Sequence, residues 1–326
     1  MLKTKFLMLS AAFVCCLTPL LVAQDFVDVY FIAGQSNAGN FGEINSNDVQ
    51  GYNGYNAADF SNQSDVGFNL TFGRIRDRRS GGPVNEVVEA FSSNLLDPAN
   101  YAVDNFAVQV NQEFGNDIGI FSYGRNGRAL ENADDTVDGI NGQRNDSGES
   151  WDPNVSGELY DAFIDWSSDR LAEIESTGAQ ARVQGILWFH GEEDARNNTD
   201  DTYQANFEDL ISGFREEFNN PELAIVASEI REVGADRINA ENVNDALNSV
   251  ALNDAFVEVI DISDTSIYIP ESANDVHLDE FGQIALSNDF ASRVISLNAG
   301  TSSVPEPSSL AVLGLAAISL VTRRRR

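Results

Sequence analysis

Short apolar segments alternate with helix-like stretches along this chain, and that alternation limits the fold more than any other feature. The apolar segments are Val29 onward in "VYFIAGQSNAGN" (Val29 to Asn40), "IGIFSY" (Ile118 to Tyr123), "VQGILWF" (Val183 to Phe189), "LAIVAS" (Leu223 to Ser228) and "FVEVIDI" (Phe256 to Ile262). Between and after them, apolar residues recur at helical spacing in Tyr101 to Phe114, Glu158 to Thr177, about Tyr203 to Phe218, Ala240 to Leu252 and about Gly282 to Leu297. A strand apolar along its whole length must be covered on both faces, which predicts a mostly parallel central sheet in a three-layer α/β/α sandwich. Sites in such sheets lie at the carboxyl ends of strands. Ser36, the segment after Tyr123 and the segment after Phe189 all fall there.

The two ends read as processing segments. Lys3 and Lys5 precede an apolar run from Phe6 to Val22 that closes on small residues at Ala23, the pattern of a cleaved secretory signal peptide over residues 1–23. At the far end, "VPEPSS" from Val304, an apolar stretch from Leu310 to Val321 and Arg323 to Arg326 follow in order over residues 304–326. A dozen apolar residues fall short of an ordinary membrane span. This tripartite tail resembles the PEP-CTERM sorting signal of certain Gram-negative bacteria. The resemblance implies export to the periplasm, outer surface or extracellular matrix, a transient membrane contact, and an exosortase-type processing enzyme as partner. A single α/β domain over residues 24–300 is expected between the two signals.

Both cysteines, Cys15 and Cys16, lie in the leader, so the expected mature chain is held by its core and not by disulfides. The whole chain carries −31. Removal of Lys3, Lys5, Arg323 to Arg326 and Glu306 takes 20 basic residues to 14 and 51 acidic residues to 50, a difference of −36, with no lysine left. Such a surface repels phosphate backbones, so a nucleic-acid partner is not expected.

A serine nucleophile at neutral pH needs a base, and the chain has two histidines, His190 and His277. His277 stands in "NDVHLDEFGQIAL" before the last helix; His190 ends a strand in "WFHGEED". Gly34-Gln35-Ser36-Asn37, "YGRNGRAL", "WFHGEEDA" and "DVHLDEFGQ" together resemble, in order, the four blocks of the SGNH hydrolases, in particular the sialate O-acetylesterase-like and acetylxylan esterase (carbohydrate esterase family 6) branch. The match in block order spans Asp28 to about Ala291.

That resemblance implies a flavodoxin-like SGNH fold and a serine-dependent acetylesterase with no metal or cofactor, acting on an acetylated carbohydrate. Position by position it makes Ser36 the nucleophile, its own N–H and that of Gly127 oxyanion donors, and His277 the base. Asn126 stands where the family has the first glycine of a pair. Gln35, Asn37, Glu192 and Asn274 become supporting residues, with Glu192 hydrogen-bonding nearby loops. Two departures matter. His190 replaces the family's glutamine, whose side chain donates to the oxyanion; an imidazole can also donate, and the alternative is a packed strand-end histidine. The family's orienting Asp, three residues before the base, is Asn274 here, and Asp275 lies two before. Either Asp275 takes the role through a local backbone shift, or the enzyme is slow or inactive; Asp275 is expected to take it. The rival function is a glycan-binding or surface-matrix protein on the same fold.

Overall fold

The computed structural model describes residues 26–40, 70–76, 86–93, 101–125, 127–131, 150–197, 200–233, 239–273 and 275–299. Both processing segments, the polar stretch from Phe41 to Asn69, and the candidate site residues Asn126 and Asn274 lie outside the described residues.

Seven strands form one sheet in the order β3-β2-β4-β1-β5-β6-β7. They are β1 (Phe26–Gly34), β2 (Leu70–Arg76), β3 (Glu86–Ser93), β4 (Asp117–Gly124), β5 (Gln180–Phe189), β6 (Ala224–Ser228) and β7 (Val257–Ile260). All neighbours pair in parallel except β2 and β3, which are antiparallel. The five apolar segments of the sequence correspond to β1 and β4 to β7. Strands β2 and β3, at one end of the sheet, were not foreseen: "LTFGRIR" and "EVVEAFSS" are interrupted by Gly, Arg and Glu, so neither presents the continuous apolar run that marks a doubly covered strand.

The helices are α1 (Ser36–Asn40), α2 (Tyr101–Phe114), α3 (Leu159–Ser176), α4 (Glu192–Asn197), α5 (Tyr203–Glu217), α6 (Ala240–Asn253) and α7 (Glu280–Ala299). Strand β1 shows why two layers are needed. Its alternate residues Val29, Phe31 and Ala33 join one core with Phe163 of α3, Phe207 and Phe214 of α5 and Val243 and Leu247 of α6. Tyr30 and Ile32 enter the other, with Val103 and Phe106 of α2 and Ile284, Phe290 and Val294 of α7. The first core is rich in aromatic contacts: Phe31 meets Phe163 edge-on at 5.4 Å between ring centroids, and Trp151 meets Trp188 at 5.2 Å. Among the described residues no helix is long and apolar enough to cross a membrane.

The centre of the sheet sets the position of the site. β1 lies between β4 and β5, so its carboxyl end is a crevice between two parallel neighbours. Gly34 pairs there with Gly124 on one side and Phe189 on the other. Its φ of 140° and the overlap that a Cβ would make with the Phe189 carbonyl exclude a side chain. A Cβ on Gly124 would likewise overlap the backbone of Gly39. Glycines at 34 and 124 therefore let α1 sit directly on the strand ends.

Candidate active site

The sharp exit from β1 puts Ser36 at the start of α1. The Gln35 N–H donates to the Phe189 carbonyl at 3.0 Å, the Gly39 N–H to the Gln35 carbonyl at 2.9 Å, and the Arg125 N–H to the Gly34 carbonyl at 3.0 Å. The first and third bonds tie the serine turn to the ends of β5 and β4, and the second closes the turn itself. Gln35 is buried, whereas Ser36 is half-buried and faces the loop that precedes α7.

That loop brings the base. The Ser36 Oγ and the His277 Nε2 are 2.8 Å apart, across 241 positions of sequence. His277 Nδ1 lies 2.8 Å from Asp275 Oδ1, and the same carboxylate oxygen accepts the His277 backbone N–H at 3.0 Å. Thus Asp275 reaches back over two residues and holds both the backbone and the ring of the histidine. Burial works against its charge, but the His277 backbone N–H and imidazole outweigh it and hold the Asp275 carboxyl below the usual carboxylate range.

Asn37 locks the two loops together. Its Nδ2 donates to Glu192 Oε1 at 3.1 Å and to the Val276 carbonyl at 3.0 Å, while its Oδ1 accepts the Leu278 N–H at 3.3 Å. The residues on either side of His277 are therefore bonded to the residue after Ser36. The structure brings Ser36, His277, Asp275, Asn37 and Glu192 together. Gly127 is buried with φ of 60°, just past β4 and two residues beyond Arg125, whose N–H bonds to the Gly34 carbonyl.

His190 is elsewhere. Its ring has no exposed surface, stacks on Trp188 at 4.7 Å between centroids, and turns Nδ1 toward the Tyr203 hydroxyl at 3.4 Å and Asp194 Oδ2 at 3.7 Å. The expectation of a histidine oxyanion donor is therefore corrected to the packed strand-end histidine, because Trp188 and Tyr203 enclose the imidazole. Burial pushes His190 down to about 3, with the backbone of Arg128 pulling the other way.

This has a consequence for stability. Below about pH 6.5 the unfolded chain protonates His190 and the folded chain does not, so stability is full above pH 6.5 and lost as pH falls toward 3, at up to about 1.4 kcal/mol per unit. Urea unfolding of wild type and His190→Gln between pH 4 and 6 is expected to give a profile about 1 kcal/mol per unit shallower for the variant. Parallel profiles would contradict the buried neutral imidazole.

Sequence reasoning missed three neighbours of the site. Arg231, just past β6, is buried and donates through Nη1 to the Asp275 carbonyl. Burial lowers its pKa, and the Asp275 charge opposes that shift. Its only signal in sequence was an arginine after an apolar strand in a chain poor in cations. Glu271 arrives through the bridge between Pro270 and Leu278, and its N–H donates to the His277 carbonyl at 3.0 Å. Glu271, Asp275 and His277 bring one possible metal-ligand atom each within 4.8 Å of one another. Both imidazole nitrogens already face other partners, Asp275 and Ser36, so the geometry matches a proton relay better than a cation site. The third neighbour is Asp194, fully buried, whose carboxylate accepts the Leu130 N–H.

A three-layer α/β/α protein with a serine, a histidine and an aspartate in hydrogen-bonded series at the carboxyl end of its central strand falls in the SGNH-type hydrolase class. The profile of the family "Carbohydrate esterase, sialic acid-specific acetylesterase" matches residues 105–296, more than half of the chain. The chain belongs to that family. Residues 303–326 match the PEP-CTERM protein-sorting motif, which indicates export in Gram-negative bacteria. A search of curated proteins gave no match.

Solved structures agree on the fold. A protein from Arabidopsis thaliana is 17% identical, with a TM-score of 0.52 over 84% of this chain and 98% of its own. A novel carbohydrate acetylesterase from Xanthomonas citri is 16% identical, with a TM-score of 0.53 over 84% of this chain but 56% of its own, so this chain spans little more than half of it. NanS is 14% identical, with a TM-score of 0.51 over 85% and 98%.

Proposed function

We propose that this protein is a secreted carbohydrate O-acetylesterase that works by serine acyl transfer. The observation that carries the proposal is the unbroken series from Ser36 Oγ to His277 Nε2 and from His277 Nδ1 to Asp275, with 2.8 Å at each step. In this scheme His277 takes the Ser36 proton as Oγ attacks the acetyl carbonyl, and Asp275 stabilises the imidazolium that forms. The backbone N–H groups of Ser36 and Gly127 hold the tetrahedral oxyanion, a contribution of about 3 kcal/mol per donor. Collapse expels the sugar alkoxide, which takes the proton from His277 and leaves Ser36 acetylated. A water then attacks under the same base, and acetate leaves with the serine restored. No step requires a cofactor.

The family match supports an acetylated carbohydrate as substrate, a polysaccharide or a sialate-type sugar. The C-terminal motif supports handling by an exosortase-type enzyme, with the apolar segment touching the membrane in transit. We assign residues 1–23 to a cleaved leader, 24–300 to the esterase domain and 304–326 to the sorting signal, with the mature protein in the periplasm, on the outer surface or in the matrix.

The test compares acyl groups. Kcat/KM for 4-nitrophenyl acetate is expected to exceed that for the butyrate by more than about 10-fold, since each extra methylene excluded from a small pocket is worth about 1–3 kcal/mol. Acetate should also be released from acetylated xylan or from O-acetylsialate. Equal rates on acetate and butyrate, with no acetate from either glycan, would overturn the proposal.

A further inference from the structure

Two acids of α4, Glu192 and Asp194, point to opposite halves of the site. Glu192 accepts from Asn37, on the side of the nucleophile and base. Asp194 has no exposed surface, and its Oδ1 and Oδ2 take the Leu130 N–H at 3.0 and 3.1 Å. Leu130 lies three residues beyond Gly127. We propose that Asp194 is a positioning residue for the oxyanion segment: it fixes Leu130, and thereby the direction of the Gly127 N–H relative to Ser36. The proposal rests on the serine-esterase reading above.

The physical argument begins with burial. A carboxylate without access to water is costly unless its surroundings are built for it. Here the first turn of α4, the Leu130 N–H and the His190 ring at 3.7 Å surround it. The His190 ring is held in turn by Trp188 and by Tyr203, whose hydroxyl donates to the His190 carbonyl at 3.2 Å. Asp194 is thus anchored against the aromatic core.

The oxyanion segment is pinned on both sides of Gly127. Before it, the Arg125 N–H donates to the Gly34 carbonyl at 3.0 Å, immediately ahead of the serine turn. After it, the Ala129 carbonyl accepts the Trp151 N–H at 3.3 Å, and Asp194 holds Leu130. An oxyanion donor acts only within hydrogen-bond reach of the developing charge, and a displacement of about 1 Å costs about 100-fold in rate. A clamp three residues away is therefore enough to matter. Through Glu192 and Asp194, one short helix sets the nucleophile and the oxyanion donors in register.

The test uses Asp194→Ala and the near-isosteric Asp194→Asn, which keeps one oxygen acceptor. Asp194→Ala is expected to lower kcat for 4-nitrophenyl acetate about 100-fold with KM changed less than about threefold. Its affinity for a trifluoromethyl ketone, which forms an oxyanion on attack by serine, should fall by a similar factor. Amide exchange should quicken in peptides covering 127–131 and stay unchanged in 203–217. Asp194→Asn should recover at least about 10-fold of the lost rate. A folded alanine variant with kcat within twofold of wild type, or with unaltered exchange at 127–131, overturns the proposal. If alanine prevents folding, the asparagine variant carries the exchange test. If the wild type hydrolyses no ester, the esterase reading fails by itself, and exchange at 127–131 still decides whether Asp194 fixes that segment.

Discussion

Ser36→Ala is expected to lower turnover of 4-nitrophenyl acetate by at least about 10⁴-fold, the scale of loss when the nucleophile of an acyl-transfer triad is removed. The expectation follows from position. The Ser36 hydroxyl lies at the carboxyl end of the central strand, 2.8 Å from the imidazole. The variant should remain folded, because a half-buried hydroxyl hydrogen-bonded to His277 contributes about 1 kcal/mol or less to stability. Thermal melting measured beside the kinetics separates the two effects. A variant that keeps its melting temperature and retains more than about a tenth of the wild-type rate would show that the acetyl group is not carried on Ser36.

How far this site could be read from sequence depends on the range over which each contact is set. Ser36 and His277 were legible because each stands beside a strand end or helix start whose pattern is local: glycines at 34 and 39 around the serine, and a loop leading into α7. The sheet strands buried on both faces were legible for the same reason. Strands β2 and β3, at one end of the sheet, were not, since neither carries a continuous apolar run and their pairing is decided by partners distant in sequence. His190 illustrates the limit at one residue. Its motif position suggested an oxyanion donor, but the ring's direction is set by Trp188, Tyr203 and Asp194 packing around it. Arg231 and Asp194 meet their partners 44 and 64 positions away, Asp275 and Leu130, with no local signal for either pairing.

The sequence pointed to Asp275 over Asn274 as the group that orients His277, and that choice carries the second large effect. Asp275→Asn is expected to cut kcat by about 10²- to 10⁴-fold, with KM nearly unchanged, because the amide cannot stabilise the imidazolium formed as Ser36 is deprotonated. The backbone makes Asp275 fit for this work although it sits one place later than the family pattern. Its N–H donates to the Ser272 carbonyl at 3.0 Å, closing a turn, and Arg231 holds its carbonyl. The side chain is thereby directed forward onto the N–H and Nδ1 of His277. If Asp275 is the carboxylate that orients His277, Asn274→Asp should raise the rate less than about threefold. A gain of 100-fold would instead mean that the natural site is impaired for want of the acid at 274. If neither the wild type nor Asn274→Asp turns over an acetyl ester while both stay folded, the chain is better explained as a glycan-binding protein that has kept the esterase fold. Asp275→Asn removes the negative charge that faces His277 Nδ1, whereas Asn274→Asp adds one at the family position.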